Sequence, residues 1–340
     1  MTMVPSRRTL RQASRLAGRL ESAVRQAAAP LRASGFPYRA PSVPRGVELP
    51  KEERRLGANY DTAWARQPFP SAVRTMVREG PLRLMIEALT RPEVSGGDRL
   101  SDLIHQADGE YPPAVIFAPN HHSHLDTGLM IRSIPFALRR RLIVAAAADY
   151  FFDARWKAVL AALSLNAVPI DREGSGRKSS ELLRQLLGDG WSLVIYPEGG
   201  RSPDGWGQAF KGGAAYLASR TGAPVVPVFI DGTDSIFGKG MKRPKPGRTR
   251  VVFGAPLRPV EGENTRRFNA RIETEVTALA DESTTDFWTA RRRRSVTTNP
   301  ALTGPEYNGW RRRWALSERR QLGIAGLRRR QRRRWPSLDR

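Results

Sequence analysis

The chain has 340 residues, with 57 Lys+Arg against 33 Asp+Glu, so its formal net charge is +24. It contains no cysteine, which fits a reducing compartment and excludes a cysteine nucleophile. Its longest uncharged apolar stretch, residues 158–170, has only 13 residues, whereas spanning a bilayer takes about 18 to 20. We therefore expect no transmembrane helix.

The amino-terminal flank is strongly basic, with 12 Lys+Arg against 4 Asp+Glu in residues 1–55. Leucine, valine and alanine recur every three or four positions from Leu10 to Leu31, which predicts a basic amphipathic helix over residues 1–33. An organellar transit peptide has a similar composition and stays an alternative. Four prolines between residues 37 and 50 indicate a linker, which we place at residues 34–67.

The middle of the chain is nearly neutral, because the two flanks leave it a net charge of only +3. A segment of this length buries a sizeable core without a second folded domain. We predict a single α/β domain at residues 68–290, with a mostly parallel or mixed central sheet flanked by helices.

The first motif of this domain, residues 120–126, reads Asn-His-His-Ser-His-Leu-Asp and holds three of the four histidines. It follows an apolar run, residues 114–118, that predicts a buried strand. His121 would then lie at the carboxyl end of a strand, where open α/β sheets bind their ligands. If a helix begins within residues 123–131, Asp126 comes within reach of the His121 ring and fixes its tautomer. We predict that His121 is a general base oriented by Asp126.

Two further apolar runs end in side chains suited to binding an anion. Residues 166–170 lead into Asp171 and Arg172, and residues 192–196 lead into a Pro-Glu-Gly-Gly-Arg-Ser segment at residues 197–202. Guanidinium groups bind phosphate or carboxylate bidentately, and paired glycines let backbone amides approach a ligand closely. Both runs therefore predict an arginine in a binding role just past a strand.

A fourth apolar run, residues 223–230, predicts another strand. Its two prolines, Pro224 and Pro227, argue against a central strand paired along both edges, because proline cannot donate to a ladder. Upstream of this run, we expect Lys211 to open a helix close to the pocket that the first three motifs would form. There it either adds a point charge or remains a solvated surface lysine.

The carboxyl-terminal extension, residues 291–340, is the more basic flank, with 16 arginines against 3 acidic residues. Trp310, Trp314 and Trp335 are interspersed with these arginines. Tryptophan suits the headgroup level of a bilayer, and arginine is attracted by anionic lipid at about 1 kcal/mol per charge. We expect the two flanks, helical or disordered, to attach the protein peripherally to an anionic membrane surface, at its cytoplasmic face. A solvated charge tail is the alternative.

Taken together and in this order, the four motifs resemble the glycerolipid acyltransferase family, whose first block keeps four residues between its histidine and its aspartate. The resemblance covers about residues 80–260. It departs from the family at Asn166, Pro169 and Gly200, which flank the acceptor pocket. The matching residues are Asn120, His121, Ser123 and Asp126 in the first block, Ile170, Asp171 and Arg172 in the second, Pro197, Glu198, Gly199, Arg201 and Ser202 in the third, and Pro227 in the fourth.

The resemblance implies transfer of a fatty acyl group from an acyl thioester to the hydroxyl of a lysophospholipid. Conversion of 1-acylglycerol-3-phosphate to phosphatidic acid, a step of phospholipid synthesis, is the expected reaction. An imidazole with an ordinary pKa of about 6.5 can take the hydroxyl proton at neutral pH. We expect acyl-CoA or an acyl-carrier protein as co-substrate, and neither a cofactor nor a metal.

The remaining motif residues are expected to bind the acceptor or support the site. Arg172 and Arg201 would hold the anionic head of the acceptor, and Glu198 would orient one of them or a polar acceptor group. Gly199 and Lys211 complete the expected binding residues. The supporting residues are Asn120, Ser123, Asp171 and Pro227.

Two other functions remain open. The His-x-His-x-Asp spacing of His122, His124 and Asp126 is also the start of the dinuclear zinc site of metallo-β-lactamase-like hydrolases. That motif closes with a histidine where this chain has Thr127, and no histidine follows position 124. The arginine-rich flanks would also suit a nucleic-acid-binding protein, although the core lacks the charge for a basic groove. We therefore expect no nucleic-acid partner.

Overall fold

The structure is a computed structural model, and it describes residues 57–106, 111–171, 177–202, 205–238 and 241–304. The predicted helix at residues 1–33, Arg172 and the tryptophans at positions 310, 314 and 335 lie outside the described residues.

The described residues form a mixed sheet of seven strands. These are β1 (Pro92–Ser95), β2 (Ile116–Pro119), β3 (Leu142–Ala147), β4 (Ala167–Ile170), β5 (Ser192–Val194), β6 (Val225–Asp231) and β7 (Thr249–Phe253). Their order across the sheet is β1-β7-β6-β2-β5-β3-β4. All neighbouring pairs are parallel except β6 and β7. β1 and β7 therefore run opposite to the other five strands.

Helices follow most of the strands. They are α1 (Pro68–Val77), α2 (Arg83–Thr90), α3 (Ser101–His105), α4 (Leu125–Ser133), α5 (Phe136–Arg139), α6 (Ala148–Phe151), α7 (Arg155–Leu165), α8 (Arg177–Gly188), α9 (Gly213–Thr221), α10 (Thr233–Phe237), α11 (Thr265–Thr284) and α12 (Phe287–Ser295). A single π-helical turn, Arg78–Leu82, connects α1 to α2. No helix within the described ranges is both long and apolar enough to cross a membrane.

The core lies on both faces of the sheet. Successive side chains of a strand point to opposite faces. Ile116 and Ala118 accordingly pack into a cluster with residues of α8, α9 and α11, whereas Val115 and Phe117 pack with residues of α2 and α4. Burial on both faces explains why these strands read as continuous apolar runs rather than alternating ones. The α/β class and the helix-flanked mixed sheet predicted from the sequence are confirmed.

The prediction that β6 is not a central strand was wrong. β6 pairs with β2 over residues 225–228 and with β7 over residues 228–231. The two ladders overlap only at Val228, and Pro227 lies within the β2 ladder, opposite Ala118. The Pro227 carbonyl accepts from the Gly254 N–H at 2.8 Å just past the end of β7. Proline has no N–H. In another residue at this position the N–H would point to the same side as the carbonyl, toward Gly254, where the β6–β7 ladder has already ended.

The folded unit extends past both predicted domain boundaries. Short 3₁₀ turns at Gly57–Asn59 and Ala63–Arg66 lie in the segment predicted as a linker. At the other end, α12 spans residue 290, and Arg291 and Arg293 form ion pairs with acidic side chains of α11 at 3.1 and 2.7 Å. Part of the charge expected in the carboxyl-terminal extension is therefore neutralised against the domain.

Candidate active site

His121 and Asp126 are brought together by the turn between β2 and α4. The His121 Nδ1 lies 2.8 Å from Asp126 Oδ2. The same carboxylate oxygen accepts the backbone N–H groups of His122 at 2.7 Å and Ser123 at 2.8 Å. The carboxylate therefore holds both the imidazole and the loop that carries it.

The environment of Asp126 keeps it ionised although it is fully buried. Burial acts to raise the pKa of this carboxyl, but the hydrogen bonds from the His121 ring and the Ser123 backbone outweigh it, so the pKa lies below its ordinary value. An ionised Asp126 can only accept, so Nδ1 of a neutral His121 carries the proton. The described residues place no hydrogen-bond partner on Nε2, whose lone pair is left to accept a proton.

Tyr196 fixes the plane of the His121 ring. The two rings stack with centroids 4.0 Å apart and an interplanar angle of 24°. The Tyr196 hydroxyl hydrogen-bonds the Thr127 hydroxyl at 3.1 Å, and burial raises the pKa of Tyr196 well above its ordinary value. Sequence reasoning missed this residue, because it appeared only as the last position of an apolar run. Its place directly before the Pro-Glu-Gly-Gly segment was the available signal.

Asn120 and Ser123 anchor the loop to neighbouring elements. The Asn120 amide exchanges two hydrogen bonds with the backbone of Ile230 in β6, at 2.7 and 2.8 Å, and so continues the sheet past the end of β2. The Ser123 hydroxyl donates to the Phe237 carbonyl of α10 at 2.7 Å. Both side chains are buried, so these hydrogen bonds are shielded from water.

Glu198 connects the third motif to the His121 loop. Its Oε1 accepts the backbone N–H of His121 at 3.0 Å, and its Oε2 accepts the backbone N–H of Gln208 at 2.9 Å. The Ser202 N–H donates to the His121 carbonyl at 2.8 Å. The buried carboxylate of Glu198 thus acts on the position of the His121 backbone, an arrangement that the sequence did not predict.

Gly199 lies directly beneath the Lys211 side chain. A Cβ added at Gly199 would lie 2.6 Å from Lys211 Nζ, and the residue adopts φ +70°, which favours glycine. The backbone N–H of Lys211 donates to the Pro197 carbonyl at 2.8 Å. The lysine therefore lies against the third motif, with an exposed side chain.

His124 and Arg201 form a second polar group beside the dyad. The pKa of His124 is lowered to about 4, first by burial and then by the positive charge of Arg201. The His124 ring stacks on Tyr150 with centroids 5.5 Å apart and contacts Phe237. His124 is therefore neutral at pH 7, and Arg201 places a cation next to the site.

The second motif lies farther away. Asp171 follows β4, which is the edge strand, and two strands separate β4 from β2. At about 4.8 Å per strand, Asp171 lies about 14 Å from the end of β2 along the same edge of the sheet. Arg172 follows Asp171 and lies outside the described residues.

The histidines of the His-x-His-x-Asp spacing do not converge as metal ligands. Within the described residues there is no group of three or more His, Cys, Asp or Glu side chains placed to hold a metal ion. His122 Nε2 instead lies 3.3 Å from the Asn120 amide nitrogen, and Asp126 Oδ2 is occupied by His121 and two backbone amides.

The chain is similar to known acyltransferases. Residues 95–231 match the family model described as Acyltransferase. The chain is 29% identical over 148 residues to the chloroplastic 1-acyl-sn-glycerol-3-phosphate acyltransferase BAT2 of Brassica napus, which covers 42% of this chain and 40% of that protein. It is 30% identical over 162 residues to 1-acyl-sn-glycerol-3-phosphate acyltransferase alpha of Bos taurus, covering 45% of this chain and 52% of that protein.

The aligned stretch thus spans about half or less of these relatives. Among solved structures, the 1-acyl-sn-glycerophosphate (LPA) acyltransferase PlsC from Thermotoga maritima aligns with a TM-score of 0.47 and 22% identity, over 66% of this chain and 83% of that one.

Proposed function

We propose that the protein, whose residues 95–231 match the family model described as Acyltransferase, transfers a fatty acyl group from an acyl thioester to the hydroxyl of a lysophospholipid. The acceptor we propose is 1-acylglycerol-3-phosphate, and the product is phosphatidic acid. The observation that carries the proposal is the 2.8 Å contact between His121 Nδ1 and the buried Asp126 carboxylate at the carboxyl end of β2. The relatives' names support the choice of acceptor.

The proposed mechanism is direct attack. His121 Nε2 takes the proton of the acceptor hydroxyl while the hydroxyl oxygen attacks the thioester carbonyl carbon. Asp126 stabilises the imidazolium that forms. The tetrahedral intermediate then collapses with cleavage of the carbon–sulfur bond, and His121 returns the proton to the departing thiolate. The acyl donor would be acyl-CoA or an acyl-carrier protein.

One assay tests the proposed reaction. Purified full-length protein is incubated with a labelled acyl thioester and a panel of lysophospholipids, with glycerol-3-phosphate as a further acceptor. Labelled phosphatidic acid from 1-acylglycerol-3-phosphate supports the proposal. Labelling of another lysolipid would support the proposed reaction class but identify a different acceptor. Hydrolysis of the thioester without transfer to any acceptor would contradict the proposal.

We expect Arg201→Ala to raise the apparent KM for a phosphorylated lysolipid about tenfold to over a hundredfold. A desolvated charge-assisted hydrogen bond contributes roughly 1.5 to 3 kcal/mol. The KM for the acyl thioester should change far less. Arg172→Ala is expected to behave in the same way. Arg220→Ala, which removes an exposed arginine at the end of α9, is the matched control. Equal weakening of both substrates would argue for a structural role of Arg201.

We further propose that the basic flanks attach the protein to an anionic membrane surface. Deleting residues 1–33 and 311–340 is expected to release it from anionic vesicles and to slow turnover of a vesicle-embedded acceptor, while activity on a short-chain soluble acceptor survives. Raising the salt should mimic the deletion, because the Debye length shrinks from about 10 Å at 0.1 M to about 3 Å at 1 M. Vesicle binding that persists under both conditions would overturn this role. Preference for duplex DNA over vesicles would favour the nucleic-acid alternative.

A further inference from the structure

An open cavity of about 680 Å³ lies at the edge of the sheet opposite His121. Three of its lining residues, Tyr111, Arg141 and Trp191, precede β2, β3 and β5 in the chain. These three strands are adjacent and parallel, so their starts share one edge. The six residues of β3, at about 3.3 Å each, put that edge about 20 Å from the edge where His121 lies. The cavity is therefore separate from the candidate active site.

The described walls of the cavity are strongly cationic. A single carboxylate, Glu79, lies among the described lining residues. It forms an ion pair with Arg139 at 2.9 Å. The arginines that line the cavity are Arg66, Arg74, Arg78, Arg139, Arg140 and Arg141. The described lining residues therefore carry a net positive charge.

Two of these arginines are buried against neutral acceptors. Arg74 is 4% exposed and Arg78 is 7% exposed. Arg74 donates to the Ala65 carbonyl at 2.7 Å, and Arg78 donates to the last carbonyls of α7 at 3.1 and 2.8 Å. Carbonyls satisfy the hydrogen bonds but do not cancel the charge. Burial, together with the neighbouring arginines, lowers the pKa of Arg78 to about 9 and that of Arg74 to about 10.

Two other arginines of the cavity wall, Arg141 and Arg66, are only partly buried. The Arg141 guanidinium lies 5.0 Å from the Tyr111 ring centroid and 5.2 Å from that of Trp191, so cation–π contacts hold it in place. Arg66 donates to the Thr62 hydroxyl at 3.2 Å. Both line the cavity, and the carboxylates of Asp61 and Asp189 lie near enough to Arg66 to act on its charge.

We infer that this cavity binds a phosphate-bearing ligand, with Arg66 and Arg141 contacting the phosphate and the buried arginines supplying the field that favours an anion. Guanidinium forks match phosphate oxygens bidentately. The cavity volume falls within the range of about 300 to 1,000 Å³ that is typical of ligand sites, and the aromatic walls suit an organic body attached to the phosphate. The phosphate belongs either to a lipid headgroup or to a soluble phosphorylated compound.

The test uses the full chain and two probes, inorganic pyrophosphate and phosphatidylcholine vesicles containing phosphatidylglycerol. The Arg66→Gln/Arg141→Gln variant is compared with Arg184→Gln/Arg220→Gln, which removes two exposed arginines and the same charge. Calorimetric titration measures pyrophosphate binding at constant ionic strength, and co-sedimentation measures vesicle binding. Arg141→Lys keeps the charge and loses the fork, so it remains informative if the double variant is unstable.

We expect the cavity variant to weaken binding of at least one probe by tenfold or more, the control variant to weaken it less than threefold, and Arg141→Lys to fall between them. Loss confined to pyrophosphate identifies a soluble phosphate compound, and loss confined to vesicles identifies a lipid headgroup. Acyl transfer to a soluble acceptor should be unchanged. Equal losses in both variants would overturn the site, as would no saturable binding of either probe.

Discussion

Replacing His121 with alanine is expected to lower the rate of acyl transfer by about 10²- to 10⁴-fold, the usual contribution of a general base. The acceptor hydroxyl must lose its proton as it attacks, and direct attack offers no other base. The described residues put no hydrogen-bond partner on His121 Nε2, and Asp126 holds Nδ1 at 2.8 Å. The measurement is kcat with 1-acylglycerol-3-phosphate and an acyl thioester at neutral pH.

The other histidines provide the matched controls for this substitution. His105→Ala, on the exposed surface of α3, should leave kcat unchanged. His122→Ala and His124→Ala should cost less than His121→Ala, because neither ring contacts the carboxylate of Asp126. Thermal unfolding of each variant separates loss of the base from loss of the fold. If His124→Ala were as damaging as His121→Ala and added metal restored activity, the assignment of the dyad would be wrong.

Replacing Asp126 with asparagine is expected to lower kcat by about 10²- to 10⁴-fold with little change in the KM for either substrate. If the asparagine oxygen takes the place of Asp126 Oδ2, it still accepts from His121 Nδ1 and from the backbone N–H groups of His122 and Ser123. It carries no negative charge, however, to stabilise the imidazolium that forms when His121 takes the acceptor's proton. The substitution thus removes the charge and keeps the shape of the site.

The pH dependence of stability gives a second readout for Asp126. Because its pKa in the folded protein lies below the ordinary value, the ionised carboxylate stabilises the fold above the ordinary pKa. This contribution is lost as the pH falls through the folded-state pKa. Asp126→Asn should therefore lower Tm at neutral pH and flatten the acid limb of stability against pH.

A buried aspartate elsewhere in the fold controls for the loss of a carboxylate as such. Asp281 accepts hydrogen bonds from Arg293 and Asn299, both at 2.7 Å, and is 3% exposed. Asp281→Asn should lower Tm and leave kcat unchanged. An Asp126→Asn enzyme that keeps kcat within about threefold of the wild type would show that the negative charge of Asp126 is not needed for the reaction.

The loop that carries His121 is held by contacts from distant parts of the chain. Glu198 binds its backbone across 77 positions, and Asn120 binds β6 across 110. Tyr196 covers one face of the His121 ring. This preorganisation matters because the general base must stay within hydrogen-bond reach of the acceptor hydroxyl in the transition state. In the proposed mechanism, catalysis therefore depends on residues that do not touch the reacting atoms.

The sequence by itself determined the parts of this protein that depend on near neighbours. The run before Asn120 predicted β2, the segment after Ser123 predicted α4, and the five-residue separation brought Asp126 to His121, because a strand, a turn and a helix start are set by a few adjacent residues. The α/β class, with a mostly parallel or mixed sheet, followed from apolar runs that are buried on both faces. The order of the motifs indicated the family.

Only the tertiary structure decided which strands pair and which distant side chains meet. Pro224 and Pro227 misled the prediction for β6. The N–H that a proline lacks matters only if a partner strand pairs on the side toward which that N–H would point. Glu198 was expected to orient an arginine or a polar group of the acceptor, and the structure shows that it also holds the His121 backbone, through a contact across 77 positions. The arginine-lined cavity gathers residues from α1, α5 and the starts of three strands. Long-range packing creates such an arrangement, and no local pattern in the sequence indicates it.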